Sequence, residues 1–194
     1  MPSTNSTGGW RRRPDIIMAV LGLGSGYLSV QWGTSGPVAV AWLDPVAAVF
    51  ALSPELVPIG FFFGAVVGLS IWYWTGQSLA VPVVLVVTMY AWSAAIQVAI
   101  RTQRHVDDDP HLIAASLGAG AVGAGITHLG CALFSRELRR PAWIFVTCLV
   151  GALAGMLLYL SQRKFVDERL LYVVWQPAVA FSIGSGLVNR RQHA

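Results

Sequence analysis

Residues 109–134 read DPHLIAASLGAGAVGAGITHLGCALF. Beyond His111 the run holds one histidine, His128, and no Asp, Glu, Lys or Arg. It is long enough to cross a bilayer core, which takes about 20 mostly apolar residues. Its beginning is matched earlier in the chain. Residues 13–26 read RPDIIMAVLGLGSG, and at a constant offset of 96 the pairs Pro14/Pro110, Ile17/Ile113, Ala19/Ala115, Leu21/Leu117, Gly22/Gly118 and Gly24/Gly120 coincide. A weaker match at an offset of 83 pairs Pro58/Pro141, Phe62/Phe145, Gly68/Gly151, Trp92/Trp175, Ala95/Ala178 and Ile100/Ile183. The sequence therefore reads as two related halves. Arg11 to Arg13 precede the first and Asp107 to Asp109 the second.

The composition points the same way. Of 194 residues, 55% are hydrophobic and only 11% charged. Soluble domains carry about 25% charged residues. So few charges cannot clothe a water-soluble globule. Six stretches qualify as spans, at 15–33, 58–76, 80–100, 111–134, 141–161 and 169–188. Trp10, Trp32, Trp72, Tyr73, Trp74 and Trp143 fall near their ends, where aromatic belts form. The expected fold is an all-α integral membrane protein of six transmembrane helices. It forms a single polytopic domain, residues 1–194, built as two inverted three-helix repeats. The first half covers 1–100, with an insertion at 34–57, and the second covers 107–188. An odd number of spans per half turns the halves opposite ways, as in many transporter folds.

The insertion, TSGPVAVAWLDPVAAVFALSPELV, is broken by Asp44-Pro45. Asp followed by Pro marks a helix start. Two short pieces meeting there, re-entrant or interfacial, are expected over 37–53. A seventh span is the alternative.

Net charge is +4, and twelve of the thirteen basic residues are Arg. No basic helix or aromatic sheet pattern accompanies them, so nucleic acid is not an expected partner. Cytoplasmic loop ends hold Arg and Lys. With the N-terminus inside, cytoplasmic segments carry eight basic residues and outer ones five. The expected location is a cell membrane, multi-pass, with a cytoplasmic N-terminus. The Arg bias favours a GC-rich genome and hence a bacterial inner membrane. Expected partners are membrane lipids and a second copy or another membrane protein.

Gly118 to Gly123 spells GxGxxG, but no strand precedes it and no βαβ unit encloses it, so a dinucleotide site is rejected. Gly118, Gly123 and Gly125 instead make a smooth helix face, as do Gly22, Gly24 and Gly26. The expected use is close packing of these two helices on each other, or across a homodimer. Cys131 and Cys148 lie in apolar runs without CxxC spacing and read as core residues. No resident cofactor or metal is expected. The loop group His105, Asp107, Asp108, Asp109 and His111 reads as a solvated loop with an Asp109-Pro110 cap.

Four residues are candidates for solute binding: Gln176, Ser93, Gln97 and His128. Gln176 precedes Pro177, which frees a backbone carbonyl in mid-span. Ser93 and Gln97 lie near the corresponding place on the third span, one turn apart. His128 is an intramembrane ionisable residue, a site by default or else an imidazole bonded to a neighbouring helix. These positions favour a protein that translocates a small solute or ion through a polar mid-membrane site between the third and sixth helices. On that reading Gln176→Leu abolishes activity and leaves folding intact. The alternative is a non-catalytic subunit or scaffold whose glycine faces bind partner helices. An enzyme is less supported, since no carboxylate pair, HExxH or GxSxG is present.

Overall fold

The computed structural model describes residues 13–33, 57–103 and 108–188. All regular secondary structure among them is helical. The helices are α1 (Pro14–Gly33), α2 (Val57–Thr75), α3 (Ala80–Gln103), α4 (Asp109–Ala132), α5 (Pro141–Gln162) and α6 (Arg169–Val188), with a 3-10 turn at Glu137–Arg139. Four of them, α3 to α6, are long and apolar enough to cross a membrane, which marks a multi-pass membrane protein. In α2 the apolar segment is shorter, Ile59–Thr75. The broken element expected over 37–53, and His105 and Asp107, lie outside the described residues.

Local chemistry sets the helix ends. Asp108 takes the cap position of α4, its carboxylate accepting from the His111 backbone N–H at 3.1 Å, with Pro110 in the first turn. The cap thus sits one residue earlier than Asp109-Pro110 implies. Asp109 instead pairs with Arg163 at the end of α5. His111 Nδ1 lies 2.5 Å from the same Asp108 oxygen. These bonds to His111, side chain first, hold the Asp108 carboxyl below its ordinary value. At the far end of α4, Arg139 donates to the carbonyls of Ala132 and Leu133, both at 2.9 Å. A cation there suits both the unpaired carbonyls and the helix dipole. Gly76 ends α2 with φ +74°. Lys164 does the same after α5 with φ 59°, a conformation in which a side chain is strained.

Each helix packs on its chain neighbours, and α1 returns to pack on α6, closing a ring. Short connectors account for the sequential part of this order from α2 onward. Helices in lipid gain little from hydrophobic transfer, so close backbone approach must hold them. Two seams show it. At α1 and α6, a Cβ on Gly22 would lie 2.8 Å from Pro177 Cα, and one on Gly26 would lie 2.6 Å from the Tyr172 carbonyl. At α4 and α5, a Cβ on Gly155 would lie 2.5 Å from the Ser116 carbonyl, and one on Gly120 would run into Gly151.

The glycine faces are therefore used, with different partners from those expected. α1 and α4 do not make a principal seam with each other. In α4 Gly120 meets backbone, Gly125 and Gly130 meet the side chains of Cys148 and Val87, Gly118 has only Val98 nearby, and Gly24 of α1 meets open space. The reason is helical phase. A turn holds 3.6 residues, so Gly120 faces α5 while Gly123, three residues on, faces Trp175 of α6 and Ala95 of α3. Cys131 is buried, and Cys148 lies where a Gly125 side chain would point.

Candidate functional site

Gln176 is fully buried in α6. Its carbonyl oxygen accepts from Ser25 Oγ at 2.5 Å, and its amide nitrogen donates to Ser29 Oγ at 2.9 Å. Ser25 and Ser29 are one turn apart on α1 and are themselves buried. Gly22 and Gly26 let α1 approach the α6 backbone around Pro177, and the serines then reach the amide. Both ends of the side chain are bonded within the protein.

The structure does not bring Ser93 or Gln97 to Gln176. Gln97 is exposed on α3, and Ser93 is buried elsewhere on that helix. The residue that α3 turns toward α6 is Trp92. Its ring lies 5.2 Å from Trp175 and 5.8 Å from Tyr172, centroid to centroid. A helix advances about 100° per residue, which turns Ser93 off that line. Gln176 bonds to Ser25 and Ser29 of α1, and not to Ser93 or Gln97.

His128 is also fully buried and has partners on both ring nitrogens. Nε2 lies 2.8 Å from the Leu138 carbonyl and Nδ1 lies 2.8 Å from Thr147 Oγ1. A carbonyl only accepts, so Nε2 carries a proton. The Thr147 hydroxyl also lies 2.9 Å from the Trp143 carbonyl, so its one proton is shared between that carbonyl and Nδ1. Ser182 Oγ stands 3.2 Å from Thr147 Oγ1. This chain ties α6, α5, α4 and the 3-10 turn together, and it matches the interhelical bonding that was the alternative for His128.

Between α3, α4, α5 and α6 lies a cavity of about 200 Å³. It is lined by the rings of Trp92, Tyr172 and Trp175 and by the small residues Ala95, Ala119 and Gly123. Small residues among large flat ones leave the volume. A Cβ on Gly123 would already stand 3.3 Å from the Trp175 ring and 3.4 Å from Ala95 Cβ. The lining includes no charged side chain. It reaches from mid-helix, at Trp92 and Gly123, to within about a turn of the ends of α3 and α5, at Ala99 and Leu158.

Two lining residues carry polar atoms left over by the packing. Trp92 Nε1 and Ser116 Oγ are buried and have no hydrogen-bond partner among the described residues. The neighbouring Trp175 differs, since its Nε1 donates to the Gly151 carbonyl at 3.2 Å. None of the four candidates read from sequence lines this cavity. Sequence reasoning missed Trp92, Ser116, Gly123 and Trp175 as site residues. One signal existed, for Trp92 and Trp175 coincide at the 83-residue offset and meet ring to ring. Among the described residues no group of three or more His, Cys, Asp or Glu could hold a metal.

Compared with known proteins, no family model, no curated protein sequence and no solved structure matches the chain.

Proposed function

We propose that the protein translocates a small solute across its membrane and holds it in the cavity between α3, α4, α5 and α6. The carrying observation is the cavity itself, about 200 Å³ and lined by both halves of the chain. The α1–α6 and α4–α5 seams are held at backbone contact, on which helix bundles in lipid depend, and a space among four helices departs from that pattern. An engineered cavity of roughly 150 Å³ takes one benzene-sized guest. The solute is accordingly compact. It is uncharged where it is held, since no side chain lining the cavity would offset a buried charge. The two-halves reading fits this placement, with Trp92 and Trp175 meeting where a pseudo-twofold axis would pass. A cytoplasmic N-terminus and a bacterial inner membrane remain part of the proposal, on the Arg11–Arg13 bias.

The test fills the cavity. Proteoliposomes carrying the wild type are incubated with a cell extract, and trapped solutes are identified by mass spectrometry. A compact species should accumulate with the wild type and fail to do so with Ala119→Phe. Identical contents for both would remove the translocation reading.

A scaffold remains the second reading, on one observation. Gly24 lies on the outer face of α1 with open space where a side chain would be, between the exposed Leu23 and Tyr27. If a partner helix docks there, Gly24→Leu shifts the oligomeric state in detergent.

A further inference from the structure

We infer that the solute held in the cavity carries a hydrogen-bond acceptor on an otherwise apolar, ring-sized body, and that Trp92 Nε1 and Ser116 Oγ recognise it. This rests on the cavity being a binding site, as proposed above. The argument starts from the two orphaned donors. Each is buried, each lacks a partner among the described residues, and each belongs to a residue lining the same space.

A buried donor without a partner loses its bond to water and gains nothing in return. Native proteins leave few such groups, and those that persist have a reason. Elsewhere the larger buried polar side chains are satisfied, although the Thr88 and Thr127 hydroxyls also lack a partner among the described residues. Gln176 has Ser25 and Ser29, His128 has Leu138 and Thr147, and Trp175 has Gly151. What sets Trp92 Nε1 and Ser116 Oγ apart is that both belong to residues lining one cavity. An indole nitrogen only donates, so its missing partner is an acceptor. The Ser116 hydroxyl can donate to the same group. The rest of the wall dictates the body of the ligand. Trp92, Tyr172 and Trp175 present flat apolar surfaces, and Leu158 and Leu171 close the space with methyl groups. A ketone, ester, ether or similar group on a ring or short chain meets all of these demands. A carboxylate does not, because its charge finds no cation in the lining.

Acetophenone and α-methylstyrene test this directly. They share one shape, with a carbonyl oxygen in the first replaced by a methylene in the second. Dissociation constants come from thermal-shift titrations of the purified protein in one detergent. Comparing the ratio of the two constants across variants cancels their different partitioning into micelles. We expect acetophenone to bind about tenfold tighter, the upper end of what one satisfied hydrogen bond gives. The preference should fall to near unity in a Trp92→Phe, Ser116→Ala double variant, which removes both donors and keeps an aromatic ring at position 92. Ser116→Ala without ligand should be as stable as the wild type or more so, because it deletes an unpaired hydroxyl. Equal binding of both probes, abolished by Ala119→Phe, overturns the acceptor inference and leaves the cavity standing as a site. Binding unaffected by Ala119→Phe, or no binding of either probe, overturns the cavity reading and this inference with it. A clear loss of stability in Ser116→Ala also overturns the inference, since it would mean that the hydroxyl already has a partner.

Discussion

The seam between α1 and α6 and the cavity between α3, α4, α5 and α6 make opposite use of polar groups. At the seam a glutamine is buried completely, and both ends of its amide are bonded to serines on the facing helix. At the cavity the polar atoms are fewer and weaker, yet two of them have no partner. A polar residue inside a membrane span is a reason to look for function. The contrast shows that satisfaction, more than polarity, separates a clamp from a site. Gln176 is fully buried and both ends of its amide are already engaged with α1. Trp92 Nε1 and Ser116 Oγ have no such engagement among the described residues.

The comparison can be broken most severely at the tight glycines. Gly120→Leu must force α4 away from α5, since even a Cβ there collides with the Gly151 backbone. The expected cost is about 3 kcal/mol or more, beyond ordinary overpacking because backbone cannot yield as a side chain can. Size-exclusion chromatography should show the monodisperse peak lost. Gly123→Leu should be milder, because the new side chain enters the cavity and meets the Trp175 ring. It should block probe binding while the fold survives.

Gln176→Leu sharpens the contrast next. It removes two interhelical hydrogen bonds, and each is worth roughly 0.6 kcal/mol on average inside membranes. Ser25 and Ser29 keep their bonds to the Gly22 and Ser25 carbonyls, at 2.9 and 2.8 Å. A loss of about 1–2 kcal/mol in detergent unfolding is expected, with affinity for a cavity probe unchanged. A solute-binding glutamine would give the reverse.

Smaller effects lie at the connectors. Lys164→Gly relieves a left-handed residue after α5 and should raise stability by up to about 1 kcal/mol, reduced by the entropy glycine loses on folding. At the α4 cap the Asp108 carboxyl has a lowered pKa in the folded state, so its contribution is present above its ordinary value of 3.8 and lost as pH falls through the lower folded value. Unfolding midpoints of wild type and Asp108→Asn should therefore differ near neutral pH and draw together in strong acid.

Much of the architecture was legible before any coordinates. Each described helix contains a run of mostly apolar residues flanked by Pro, Asp, Arg or Gly. No expected end differs from the observed one by more than three residues. Which faces meet was far less legible. Gly118, Gly120 and Gly123 look alike in a sequence, but only Gly120 falls at the closest approach, because phase around the helix is fixed by the neighbour. Ser25 and Ser29, one turn apart opposite a buried amide, carried a readable signal for the clamp. Attention to repeat counterparts led to Ser93 and Gln97 instead. The matched tryptophans mark repetition in the sequence, whereas their ring-to-ring meeting depends on how the two halves pack. An orphaned donor cannot be read from sequence at all, since being unpaired is a property of the packed whole.

The most direct test of the central claim is a high-resolution structure of the protein crystallised from lipidic mesophase with acetophenone present. The account predicts density for the ligand between Trp92, Tyr172 and Trp175, its oxygen within about 3 Å of Trp92 Nε1 or Ser116 Oγ. The Gln176 seam should be dry and closed in the same map. A collapsed cavity in which Trp92 Nε1 and Ser116 Oγ bond to protein groups, or a ligand seated at Gln176, would contradict it.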